Sequence, residues 1–346
     1  CYIFENARLE LSCASLFADR IDHNGIIEKV RRGWSAVYSE RFGELLSQTA
    51  TGNRCGAYSG YDDFGHTCPD WESLLSLGLR GCADRLAAAR LQCQKKLTIQ
   101  DKLNSQSGPD SQNEPRREDI EKSMIFYQSC ETAYRGLIRL CERFSHLAGR
   151  LGSNRMRDCF AALAEREPRT LYEAMQLIAL VYRIITHVEC EPVRSLGRLD
   201  KLLLRFARAE RDEDIRELFR YFLVRFWDKS IPANIPLTLG GCDIASDPEI
   251  ARLDILILDV YHSLDIPSPK IQLRVGDNTP NEVIDKALEL IIGGTSSLVL
   301  CNDNTVISSL EGLGHTHADA VDYVMIGCYE PSSMGREVSC TCNGRV

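Results

Sequence analysis

The sequence predicts an α/β protein with a largely helical N-terminal half followed by a region where short strands alternate with helices. Three observations carry this expectation. Apolar residues recur at three- and four-residue steps through much of the first two thirds. Short apolar runs bounded by Gly and Asn follow after Ile231. A chain of 346 residues with 44% apolar and 26% charged residues has the balance of a globular protein with a sizeable core.

The elements follow in order. WESLLSLGLRGCADRLAAARLQC, within residues 70–95, has the helical apolar period. Residues 95–118 lose that period and gain Ser, Asn, Gln, Gly and Pro, which predicts an exposed loop. Helix resumes over 119–165, and Pro168 suits the opening of a further helix through PRTLYEAMQLIALVYRIITHV. The runs NIPLTLGGCD, PKIQLRVGD, SSLVLCNDN and YVMIGCYEP read as strands, with helices at 248–264, 280–292 and 306–310 between them. Residues 1–165 are therefore expected to be helical and 166–346 to form the α/β region. If the strands are parallel, the loops at Gly241-Cys242-Asp243, Cys301-Asn302-Asp303 and Gly327-Cys328-Tyr329-Glu330 converge on one face.

A net charge of −8 argues against nucleic acid or an acidic membrane as the main partner, because such binding needs clustered basic surface. Fifteen scattered cysteines, no CxxC pair and no signal peptide argue for free buried thiols in a reducing cytoplasm. The pattern matches no usual metal-ligand spacing, and His315 and His317 read as solvated side chains. No apolar run approaches the length of a membrane span.

The chemistry-bearing stretch is IGCYEPSSMG at 326–335. Cys328 follows a glycine at the end of a predicted buried strand, so its thiol can project from a turn. In an extended tip Glu330 shares its side, and Pro331 restricts Glu330 to extended backbone. A carboxylate in an apolar pocket becomes a competent acid or base near neutral pH. Taken alone, the loop fits both a packed core thiol with a solvated glutamate and a catalytic pair.

DAVDYVMIGCYEPSSMGRE at 319–337 resembles the active-site cysteine loop of the glycyl radical enzymes, the family of pyruvate formate-lyase and of several dehydratases, lyases and decarboxylases. Further landmarks fall in that family's order: GHTCPDWESLLSLGLRG, EAMQL, SLGRLDKLL, LGGCD and SLVLCNDNTVISSLEGLG. The resemblance implies part of a ten-stranded α/β barrel. It also implies that Cys328 carries a thiyl abstracting hydrogen from a small organic substrate, with Glu330 as the base that aids cleavage of a C–O, C–N, C–S or C–C bond. No directly bound cofactor is implied. The glycyl radical would lie outside this chain and be installed by an iron–sulfur activating enzyme that uses S-adenosylmethionine, in a protein that is a homodimer at full length.

The departures narrow the substrate. Tyr329 replaces the second cysteine of the acyl-transferring members, and VECEPVRSLGR lacks the His-Ser pair of the glycerol and diol dehydratases. Arg194 stands near that pair's place and could hold a carboxylate or sulfonate. His66 and Thr341 match substrate-lining positions, whereas Asp70 reads as a helix cap and Asn302 and Asp303 as turn-stabilising residues. The chain begins at Cys1 and shows no Arg-Val-x-Gly-aromatic motif, so it reads as a piece of a longer enzyme, inactive alone. The rivals are formate-lyase-like acyl transfer, an ordinary thiol enzyme, which would want a histidine near the thiolate, and a helical scaffold.

Overall fold

The computed structural model describes residues 2–12, 15–22, 25–55, 66–107, 117–189, 194–227, 235–327 and 329–336. In chain order these form α1 (Tyr2–Asn6), β1 (Arg8–Glu10), β2 (Arg20–Asp22), α2 (Ile26–Arg54), α3 (Trp71–Ser107), α4 (Arg117–Arg150), α5 (Asn154–Glu165) and α6 (Leu171–Ile184). There follow α7 (Leu199–Ala207), α8 (Asp212–Leu223), β3 (Pro236–Gly240), α9 (Pro248–Leu264), β4 (Lys270–Val275), α10 (Asn281–Ile292) and β5 (Leu298–Asn302). The described chain closes with α11 (Asp303–Gly312), α12 (His317–Val321), β6 (Tyr323–Ile326) and β7 (Glu330–Ser333).

Contacts divide the chain into one unit of residues 1–6 and 73–168 and another of 7–72 and 169–346. The expected division at residue 165 therefore gives way to one in which residues 7–72 join the C-terminal segment. The first unit is helical. Ile138, Cys141, Phe144 and Ala148 of α4 repeat at helical steps and are buried, and Phe144 stacks on Phe160 of α5 with ring centroids 5.0 Å apart. The loop expected at 95–118 is corrected over its first part, because α3 continues to Ser107 and α4 opens at Arg117. Lys, Gln and Leu are good helix formers even where the apolar period is lost, so a polar face does not end a helix.

The second unit carries the sheet. β3, β4 and β5 pair in parallel in that order, with Thr238 opposite Gln272 and Gln272 opposite Val299. Parallel bridges Thr67↔Arg194 and Arg198↔Thr238 add two further chain segments, giving five parallel segments side by side. The helices between strands have the sequence signals expected of them. Asp247 caps α9 by accepting from the Glu249 N–H at 3.1 Å, with Pro248 in the first turn. α6, whose residues are almost all buried, opens at Leu171 with Thr170 as its cap, so Pro168 lies two positions before the cap and not in the first turn expected of it.

The fourth predicted run departs from the parallel pattern. β6 pairs antiparallel with β7, Tyr323 opposite Ser333 and Ile326 opposite Glu330, forming a separate hairpin. Residues 303–322, with α11 and α12, lead from β5 into β6, and the chain then folds back on itself through Gly327 to pair with β7.

A buried acid pair lies beneath the turn after β3. Asp200 accepts from the N–H groups of Gly240 at 2.6 Å and Lys201 at 2.7 Å, and Asp254 of α9 hydrogen-bonds to it. Burial, then the neighbouring Asp200 charge, raises Asp254 well above the usual carboxylate range. The folded protein thus holds a proton here that the unfolded chain releases at an ordinary carboxyl pKa. Stability from this group is full below that pKa and falls as pH rises toward the folded value. Asp254→Asn, which donates without titrating, is expected to flatten that fall when urea midpoints are compared at about pH 5 and about pH 8.

Candidate active site

The hairpin β6–β7 forms because Tyr323, Val324, Met325 and Ile326 are β-favouring or apolar side chains, all buried. Three contacts place it against the sheet face that carries Thr238 of β3 and Lys270 and Arg274 of β4. At the C-terminal end, the Arg274 guanidinium lies 3.9 Å from the Tyr323 ring centroid and donates to the Tyr323 carbonyl at 3.0 Å. Midway, the Met325 N–H donates to Thr238 Oγ1 at 3.0 Å. At the N-terminal end, Lys270 Nζ lies 5.3 Å from the Tyr329 ring centroid. The hairpin therefore runs down the sheet and its tip reaches the start of β4.

This corrects the expected convergence of three loops. Those at Asp243 and Asp303 meet at the C-terminal end, whereas the tip bearing Glu330 hangs at the other. The C-terminal loops serve as its anchor. Arg198, fully buried, donates to Asp243 at 2.7 and 2.8 Å, to Asp322 at 3.1 Å and to the Gly240 carbonyl at 3.1 Å. Arg274, equally buried, donates to Asp303 at 2.6 Å and to the Val321 carbonyl at 2.9 Å, and Asp303 also accepts from the Cys242 N–H at 2.7 Å. Burial pushes both carboxyls up, but the hydrogen bonds and charge of Arg198 on Asp243, and of Arg274 on Asp303, outweigh it. Both end below their ordinary value. Asn302 caps α11 by accepting from the Thr305 N–H at 3.0 Å, so Asn302 and Asp303 are structural, as expected.

At the tip, His66 and Glu330 come together. His66 Nδ1 lies 3.5 Å from Glu330 Oε1, and the side chains are 14% and 24% exposed. Glu330 Oε2 accepts from the Tyr329 N–H at 3.0 Å. The surroundings of Glu330 are thus more polar than the apolar pocket expected of it. Gly327 adopts φ +55°, and a Cβ there would stand 2.6 Å from His66 Nδ1 and 2.7 Å from Glu330 Oε2. Only glycine lets the turn before Cys328 close onto this pair.

Ser195 holds the His66 segment beside the hairpin. Its N–H donates to the Thr67 carbonyl at 2.9 Å, its carbonyl accepts from the Trp71 indole N–H at 2.9 Å, and its hydroxyl donates to the Met325 carbonyl at 2.8 Å. Arg194 is half-buried beside Thr67, one position along from His66. Cys328 and Thr341 lie outside the described residues. Ser195, Arg274, Tyr323 and Lys270 were not singled out from sequence. Ser195 stands inside the SLGRLDKLL landmark, but its three-way bonding has no local signature.

Among the described residues no group of three or more His, Cys, Asp or Glu could hold a metal ion, and His317 Nδ1 lies 2.6 Å from Glu311. No described helix is long and apolar enough to cross a membrane.

Comparison with known proteins then places the chain. Residues 28–346 match the family model described as pyruvate formate lyase-like. The (2S)-3-sulfopropanediol dehydratase of Klebsiella oxytoca is 27% identical over 190 residues, covering 49% of this chain and 23% of that protein. The hydroxyproline dehydratase of Clostridioides difficile, solved with trans-4-hydroxy-L-proline bound, superposes with TM-score 0.76 at 15% identity over 97% of this chain and 50% of its own. A glycyl radical enzyme from Archaeoglobus fulgidus superposes with TM-score 0.70 at 17% identity over 96% of this chain and 50% of its own. The chain thus spans about a quarter of that curated relative's length and half of each solved chain. A family match over most of the sequence, on a fold shared with these enzymes, identifies the chain as a member of the pyruvate formate lyase-like family of glycyl radical enzymes.

Proposed function

We propose that the complete protein is a glycyl radical dehydratase or lyase acting on a small hydroxylated substrate, with Cys328 as the hydrogen-abstracting sulfur and Glu330 as the base. The observation that carries this reading is the His66–Glu330 pair, closed against Gly327 and so adjoining Cys328. The glycyl radical of this family, installed by a separate iron–sulfur enzyme using S-adenosylmethionine, supplies the unpaired electron that converts the Cys328 thiol to a thiyl.

Cys328 sulfur then takes a hydrogen atom from a substrate carbon bearing a hydroxyl, leaving a thiol and a carbon radical. Glu330 accepts the hydroxyl proton, and the resulting electron-rich centre expels the group on the neighbouring carbon with its bonding pair. In a dehydration that group leaves as hydroxide and takes the proton back from Glu330, forming water. The product radical finally retakes hydrogen from the Cys328 thiol, so thiyl and carboxylate are both restored. His66, beside Glu330, orients the substrate hydroxyl, and Thr341, matched by the family resemblance alone, is assigned a further substrate contact. Arg194 suits an anionic substituent, in keeping with a relative named for a sulfonated diol.

The test is anaerobic activation of the full-length protein followed by electron paramagnetic resonance and turnover assays on candidate diols. A glycine-centred doublet is expected in the native protein and in Cys328→Ser, with turnover abolished in the variant. Loss of the doublet from that variant, or turnover without the sulfur, sinks the assignment.

A further inference from the structure

Lys270 opens β4, its Cα partnered with Pro236. Strand alternation puts Lys270 on the same face as Gln272 and Arg274, the face the hairpin covers. It therefore stands at the N-terminal edge of the sheet, where the tip with Tyr329 descends. The same edge receives the chain entering its outer parallel segments at Thr67 and Arg194, next to His66.

Four other cations around this sheet have acids. Arg198 pairs with Asp243, Lys201 with Asp322 at 2.7 Å, Arg274 with Asp303, and Lys286 with Asp259 at 2.8 Å. Lys270 is half-buried, yet among the described residues no carboxylate lies within 4.0 Å of its ammonium. Its contact is the face of Tyr329, the residue between Cys328 and Glu330. An aromatic face attracts a cation without neutralising it. A half-buried ammonium with no counter-charge among the described residues, beside the reacting loop, is a standing attraction for an oxyanion.

We infer that Lys270 is a specificity-determining residue that binds an anionic substituent, a sulfonate or carboxylate, of the substrate whose reacting carbon meets Cys328 and Glu330. The inference rests on the dehydratase or lyase reading and adds to it a second cation, besides Arg194, for the substrate's anionic substituent. Tyr329 would then have a second role as the surface that holds the ammonium of Lys270 toward the tip. A compact ammonium acts as a point charge, so it tolerates either oxyanion geometry.

The test is calorimetric binding of glycerol, glycerate and 2,3-dihydroxypropane-1-sulfonate to the full-length, unactivated protein, native and with Lys270→Met, Lys270→Gln or Lys270→Arg. At least one anionic diol is expected to bind roughly 10- to 100-fold more tightly than glycerol, the worth of one charge-assisted contact. The glycerate and sulfonate arms show which oxyanion is preferred. Lys270→Met and Lys270→Gln should lower that preference about tenfold with glycerol affinity kept, and Lys270→Arg should retain most of it. If Lys270→Met fails to fold by circular dichroism, Lys270→Gln is decisive. No anion preference in the native protein, or a preference undiminished by loss of the ammonium, overturns the inference. An activated native protein lacking doublet or turnover instead overturns the radical lyase reading, whatever the binding result.

Discussion

Glu330→Gln is expected to lower turnover of the activated full-length protein by about 10²- to 10⁴-fold, the usual worth of a positioned general base. The glycine-centred doublet should keep its intensity, because the radical store does not depend on the carboxylate. The amide keeps an oxygen to accept from the Tyr329 N–H, as Glu330 Oε2 does at 3.0 Å, so the turn need not change. What it loses is proton affinity, and deprotonation of the substrate hydroxyl should become rate-limiting. A kinetic split tells the roles apart: loss of kcat with little change in KM supports a base, whereas a rise in KM alone marks Glu330 as a binding residue.

Arg274→Met should cost about 3–5 kcal/mol of stability, because it strands Asp303 as a buried, uncompensated charge. The same change removes donors to the carbonyls of Val321 and Tyr323, so the entry to β6 loses its anchor. Urea unfolding measures the loss. Adding Asp303→Asn should recover part of it, since the neutral amide ends the charge penalty while its oxygen can still accept from the Cys242 N–H. Equal destabilisation of the single and double variants would show that the carbonyl contacts, and not the ion pair, carry the cost.

Much of the architecture was legible in the residues. The runs around Pro236, Lys270 and Leu298 became three parallel strands, and the helix expected over 248–264 is α9, because strand and helix composition act within a few residues. The helix through residues 95–107 was missed because a helix with a polar surface leaves no apolar period to read. The antiparallel turn of β6 was missed because a buried run has the same composition in either orientation.

The sequence by itself determined the family, through ordered landmarks, and the chemical types at the hairpin tip: a glutamate two residues after a cysteine, with a glycine before it. Only the tertiary structure decided what they face. His66 reaches Glu330 across 264 positions of chain through the bridge at Thr67 and the bonds of Ser195, and Lys270 meets Tyr329 through the descent of the hairpin. Those meetings depend on sheet order and hairpin direction, which follow from packing between distant segments and leave no trace in local spacing.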